Sequence, residues 1–339
     1  MKSSQISSTR RRNKSGIYAV LFILMLSAAI GSICFGAVWV APRKLADILF
    51  GTDRSSVEAS IILLARLPRT LGCMLSGMAL AVSGAVIQSV LSNPLAAPNI
   101  IGVNSGAGMA VIICTALAPT AAAAVPFAAF AGALLAVMTV LIVAEKTGAS
   151  KMTLVLSGVA VTSIFGAVTD AVITFCPEAL NGYSDFRIGG FGNISLAKLF
   201  PAAWVILCAL IAVILLSNEL DILMLGRETA HSLGLRVRPL RLVLLSLAAA
   251  LAGASVSFSG LLGFVGLIVP HIMRRTVGED SLSLTLACAM GGAALVTACD
   301  LLSRVLFAPY ELPVGIVLSM LGGPFFIVLL FRQRKGRIP

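Results

Sequence analysis

The sequence predicts an all-α polytopic membrane protein with about ten transmembrane helices. Three observations carry that reading. Hydrophobic residues make up 58% of the 339 residues and charged residues only 12%, against about half and a quarter in soluble domains. The apolar residues gather in runs near the ~20 residues that a helix needs to cross a bilayer. The charges fall mostly between those runs.

Glycine (31) and proline (14) recur inside the apolar runs, as they do in packed and broken membrane helices. The net charge is +11. Its basic residues flank apolar runs, so membrane topology accounts for them and a nucleic-acid partner is not expected. The seven cysteines (Cys34, Cys73, Cys114, Cys176, Cys208, Cys288, Cys299) are scattered without a CxxC pair and read as small buried hydrophobes. His231 and His271 are the only histidines and lie far apart in sequence, so no metal site is expected.

In chain order, residues 1–16 form a polar, basic tail, and residues 17–339 form a single membrane domain. The apolar run from Ile17 to about Ala41 is too long for a signal-peptide core, so it reads as an uncleaved first span. Pro42–Ser60 reads as a mixed-charge external segment with a surface helix. A second span from about Ile61 to Val90 carries Arg66, Pro68 and Arg69 at its outer end. Arginines so near the bilayer must face water or an anion. Lipid phosphates and the carboxylates of an external partner both meet that need.

Ser92–Gly108 places two prolines, three asparagines and three glycines where hydropathy expects membrane. Irregular backbone at that depth survives only inside protein or along a cavity. Asn93, Pro94, Pro98, Asn99, Gly102, Asn104 and Gly106 are therefore the candidate translocation path; a short surface loop is the other reading. Gly102 and Gly106 also make a GxxxG pair suited to close helix packing.

Further spans follow at about Gly106–Leu117, Ala122–Ala144, Thr153–Phe175, Leu199–Ser217, Leu240–Phe258, Leu261–Met273, Leu282–Leu302 and Leu312–Phe331. The junction from Phe258 to His271 carries Gly260, Gly263, Gly266 and Pro270, so it should pack inside the bundle.

Asp221–Arg241 is the longest polar interruption in the second half of the chain. It cannot lie in lipid, so it forms a water-facing platform. Leu223, Leu225, Ala230, Leu233 and Leu235 give an apolar side to one or two short helices, punctuated by Gly226 and Gly234, and Pro239 opens the next span. Such a helix can dock a soluble partner; a plain connecting loop fits the pattern equally. With this platform and both termini on one side, 17 of the 25 Lys and Arg fall on that side. The positive-inside rule makes it the cytoplasm.

Asp170 and Asp300 are the acids closest to span interiors, where an acid is by default a functional candidate. Asp300 lies one helical turn before Arg304 and can pair with it. Asp170 has no basic residue a turn away, and its role stays open.

Several long motifs, in order, resemble the FecCD family of permeases for iron–siderophore, haem and cobalamin uptake. They are Arg66–Arg69, Ser83–Ala107, Gly263–Arg274 and Glu311–Phe326, and the resemblance runs from roughly Leu45 to the C-terminus. Glu228–Gly234 looks like the EAAxxxG coupling motif of ABC importer permeases, with Thr229 in place of Ala.

The resemblance implies a type II ABC importer permease fold in the bacterial cytoplasmic membrane. It implies a second permease subunit, identical or a sister chain, with the path between the two. It also implies a cytoplasmic ABC ATPase dimer, which uses the ATP, and an extracytoplasmic substrate-binding protein. Coupling to the ATPase would run through the segment 219–238, at Leu225, Gly226, Glu228, Ala230, His231, Leu233 and Gly234. Arg66, Arg69 and Arg304 would receive glutamates of the binding protein. The basic tail lies outside the motifs.

No GKS/T phosphate loop is present, so no ATPase activity, and no directly bound cofactor, is expected of the chain itself. The expected cargo is an iron–siderophore complex, with haem or cobalamin as alternatives. An ion-coupled secondary transporter would need an acid pair or cation site at the midplane. A membrane-embedded enzyme would need clustered His, Asp or Glu.

Overall fold

The computed structural model describes residues 2–36, 39–49, 56–147, 151–306 and 310–335. Among them the regular structure is helical throughout: α1 (Lys2–Cys34), α2 (Pro42–Leu49), α3 (Val57–Ile61), α4 (Leu67–Leu91), α5 (Val103–Leu117), α6 (Val125–Lys146), α7 (Lys151–Phe175), α8 (Ala179–Ile188), α9 (Leu196–Leu215), α10 (Ser217–Met224), α11 (Arg227–Ser232), α12 (Val237–Ser259), α13 (Val265–Val277), α14 (Ser281–Val305) and α15 (Val314–Lys335). Among the described residues, seven helical segments are long and apolar enough to cross a membrane: α1, α3 through α4, α6, α7, α9, α12 and α14. α5 and α13 are shorter, and the apolar part of α15 ends at Leu329.

The ends of α1 differ from expectation. The helix begins at Lys2, so the basic tail continues the span instead of preceding it, and it stops at Cys34 rather than near Ala41. Lys44 pairs with Glu58, joining α2 to α3. The turn from Ile62 to Arg66 is a π-helix, with the Leu67 N–H donating to the Ile62 carbonyl. Pro68 follows at once and has no N–H for the carbonyl four residues earlier, so the ladder widens there.

α4 is the buried axis, packed between α14, α12 and α13. Small residues permit the approach. A Cβ on Gly77 would collide with the Gly292 carbonyl oxygen, and one on Gly84 with that of Gly266. In lipid the gain comes from such close backbone packing rather than from water exclusion.

Two irregular stretches meet inside the bundle. After α4 the chain turns at Ser92, forms a single 3₁₀ turn at Pro98–Ile101, and enters α5 through Gly102. α13 is preceded by the irregular residues 260–264. Gly266 at the start of α13 lies against Pro98 and Leu80, and its carbonyl accepts from Gln88 Nε2 at 3.1 Å. Ala96, Pro98, Ile101 and Gly102 of the first segment and Gly260 and Leu262 of the second are buried, whereas Ser92, Pro94 and Asn99 are exposed.

Contacts define two ends of the bundle. Lys14, Asp280 and Asp221 share one end, which we call proximal. Glu145 and Arg238, 3.6 Å apart, join α6 to the start of α12, next to the platform. Ser32, Arg69, Asp300 and Arg304 share the other, distal end. α1 and α14 therefore run parallel, proximal to distal, in direct contact, and α4 runs back along α14.

Candidate functional site

At the proximal end the platform is built by its two glycines. Gly226 has φ +105° and Gly234 φ +82°, backbone that side chains disfavour. The Gly234 N–H donates to the His231 carbonyl at 2.9 Å and the Leu235 N–H to the Ala230 carbonyl at 3.0 Å. Those two bonds make a Schellman stop, so α11 ends where glycine permits a left-handed residue. Ala230 is buried beneath the platform, whereas Glu228 and His231 are exposed. Leu225 and Leu233 flank α11 and are 63% and 60% exposed. Two large apolar side chains on a surface outside the spans suit a docked partner.

The platform is tied to a transmembrane helix by a bond that sequence reasoning missed. Asp221 of α10 accepts the Ser281 N–H at 2.9 Å, and Asp280 accepts the Ser283 N–H at 3.1 Å. Two orphan amides at the start of α14 are thereby satisfied, with negative charge at the positive end of the helix dipole. Lys14 of α1 donates to Ser283 Oγ at 2.9 Å and lies 3.6 Å from Asp280. The Ser283 hydrogen bonds, with the Lys14 charge beside them, hold the Asp280 carboxyl below the usual carboxylate range.

At the distal end lie Arg66, Arg69 and Arg304, the residues expected to receive a partner's glutamates. Arg66 and Arg304 are buried. Arg66 Nη1 donates to the Ile33 and Cys34 carbonyls at 2.7 and 3.2 Å. Arg304 donates to the Ser32 carbonyl at 3.2 Å and Ser32 Oγ at 2.8 Å. Both guanidiniums thus serve the last carbonyls and negative dipole at the end of α1, where the Cys34 carbonyl also accepts the Val40 N–H at 3.0 Å. Ser32 Oγ is also 2.8 Å from Thr70 Oγ1.

Between the arginines sits Asp300, fully buried. Arg304 Nε lies 3.2 Å from Asp300 Oδ2, the pairing expected from their spacing. Arg69 forms a second pair, with Nη2 3.0 Å from Oδ1. The other arm of Arg69 reaches Glu311, Nη1 to Oε2 at 2.7 Å. A fork of this kind can hold two carboxylates at once.

The residues assigned to the path separate into groups. Asn93 Oδ1 accepts the Leu95 N–H at 3.0 Å and shapes the turn after α4; Pro94 and Asn99 are exposed. Pro98 is buried against Gly266. Gly102 and Gly106 both face α6: a Cβ on Gly106 would strike the Gly132 carbonyl oxygen and Ala136, and one on Gly102, which takes φ +85° at the start of α5, would meet Ala136 too. Asn104 lines a cavity of about 260 Å³ with Asp170, Tyr183 and Arg187. Arg187 comes from α8, so the basic residue near Asp170 was invisible at helical spacing.

Two further differences concern single residues. Cys34, Cys73, Cys288 and Cys299 are buried as expected, but Cys176 and Cys208 are exposed. His271 stacks edge-on against Phe325, with ring centres 5.8 Å apart. Phe264 is a bulky residue at φ +65°, a strained position before α13, and its ring fills the space beside Gly322. Only the glycine run around it hinted at that strain.

Comparisons with known proteins extend this geometry. A family model, the FecCD transport family, matches residues 21–332. The hemin transport system permease protein of Yersinia pestis is 38% identical over 325 residues, 94% of this chain and 96% of its own. The Fe(3+)-citrate import system permease protein of Bacillus subtilis is 34% identical over 336 residues, 97% of this chain and 100% of its own. A solved metal-chelate type ABC transporter, in an inward-facing conformation, matches with a TM-score of 0.82 at 27% identity, covering 94% of this chain and 99% of that one.

Proposed function

Because the chain belongs to the FecCD transport family and is an ABC importer permease, we propose that it carries an iron–siderophore complex across the bacterial cytoplasmic membrane. The observation that carries this reading is the pairing of an exposed, glycine-stopped platform at one end with an arginine–carboxylate cluster at the other. The platform lies in the cytoplasm with both termini. Leu225, Gly226, Glu228, Ala230, His231, Leu233 and Gly234 form the foot pressed into an ABC ATPase dimer. The chain itself hydrolyses nothing.

ATP binding by the partner subunits moves α10 and α11. Asp221 passes that movement to α14, and the short link through Leu235 passes it to α12. A second permease subunit, identical or a sister chain, covers the exposed face of α7, and the path runs between the two. Cargo arrives on an extracytoplasmic binding protein that docks at the distal end. Arg69 meets its acidic side chains, with Arg66 and Arg304 holding the frame behind. Iron–siderophore cargo is supported by the ferric-citrate relative; haem is favoured by the hemin relative.

Replacing Gly234 with valine tests the platform. The space around it is open, so the change acts through backbone alone. A left-handed valine costs about 1–2 kcal/mol, which displaces the end of α11. ATP hydrolysis by the reconstituted complex should persist while uptake per ATP falls roughly tenfold. Unchanged uptake per ATP would remove the platform from the mechanism.

A further inference from the structure

Arg69 is only 15% exposed, and its outward-facing arm is already taken by Glu311, which is 53% exposed. An incoming carboxylate can therefore reach that arm only by replacing one that is present. Glu311 lies three residues before α15, and two backbone bonds just after it are long. The Leu312 N–H meets the Ser303 carbonyl at 3.4 Å and the Gly315 N–H meets the Gly189 carbonyl at 3.3 Å. Arg69, Glu311 and Lys198 also line one open cavity of about 450 Å³, roomy enough to admit an acidic side chain beside the pair.

We propose that Glu311 is an internal stand-in for the docking carboxylate, and that its ion pair with Arg69 latches the start of α15 to α4. Docking then exchanges one carboxylate for another. Asp300 keeps its hold on Arg69 Nε and Nη2 throughout, so the fork stays aimed while its free arm changes partner. The displaced Glu311 releases the connection before α15, and arrival of the binding protein is converted into freedom at the distal end of that helix. Because one charge pair replaces another, the electrostatic gain is small. Docking is thereby kept weak enough to reverse.

This inference rests on the docking role proposed for Arg69, and the test separates the two. The intact permease–ATPase complex is placed in lipid nanodiscs, and the affinity of the binding protein that supplies it in its own cells is measured. Glu311→Gln should tighten docking by about two- to fivefold, the worth of an exposed ion pair. Hydrogen exchange at the Leu312 and Gly315 amides should quicken in the same variant without partner. Arg69→Lys keeps the charge against Asp300 but loses the fork, so it should weaken docking and abolish the gain from Glu311→Gln. If Arg69→Lys docks like the wild type, the docking reading fails and the latch with it. If Arg69→Lys weakens docking while Glu311→Gln leaves affinity and exchange unchanged, the latch alone is wrong.

Discussion

Replacing Asp300 with alanine should destabilise the folded protein by about 3–5 kcal/mol, the usual effect of removing one partner from a buried ion pair. Asp300 is fully buried and neutralises both Arg69 and Arg304. Without it, Arg304 loses its carboxylate inside the bundle and Arg69 keeps only Glu311. Arg304 is little screened by water, because it is buried against the end of α1. Removing one of the cations as well relieves part of the penalty. The double variant Asp300→Asn, Arg304→Met should therefore be more stable than Asp300→Asn alone, a non-additivity expected of residues in one network. Unfolding by denaturing detergent, followed by tryptophan fluorescence, measures both. A loss under about 1 kcal/mol for Asp300→Ala would mean that the cluster is solvated.

Gly292→Leu should be as damaging, for a steric reason. Intrinsic helix propensity favours leucine over glycine by nearly 1 kcal/mol. At this site packing opposes it. A Cβ on Gly292 would strike the Gly77 carbonyl oxygen and crowd Ala81, both on α4. Neither is the far end of a flexible side chain, so α4 and α14 must separate. Overpacking of a filled interior costs about 1–3 kcal/mol, and separation of the two most deeply packed helices lies at or beyond the upper figure. Gly323→Leu is the control, because nothing lies within 4 Å of a Cβ there. Being inside α15, it should leave stability unchanged or raise it by up to about 1 kcal/mol, the propensity gain alone. Equal behaviour of the two variants in the same unfolding measurement would count against the close α4–α14 contact.

The break between α4 and α5, from Ser92 to Gly102, was legible in the sequence because proline, asparagine and glycine leave local marks, although Val103 to Gly108 are regular helix. So was the platform, whose two glycines fall where the helices stop. The Asp300–Arg304 pair followed from helical spacing. The partner that matters as much, Arg69, is 231 residues away in sequence, and no local pattern carries such a distance. Arg66 and Arg304 looked like outward charges because their destination, the last carbonyls of α1, is a backbone feature without a sequence signal. Gly102 and Gly106 illustrate the same limit. Their spacing announced a close helix contact, but not that its partner would be α6 nor that Gly102 would also take a left-handed turn.

The most direct test of the whole account is uptake by proteoliposomes. They would contain this permease, its ATPase subunits and a binding protein loaded with radiolabelled ferric siderophore. We predict that uptake needs ATP on the platform side, stops when the ATPase is inactivated, and is indifferent to ionophores. Uptake that survives loss of the ATPase and collapses with an ion gradient would contradict a channel half driven through its platform.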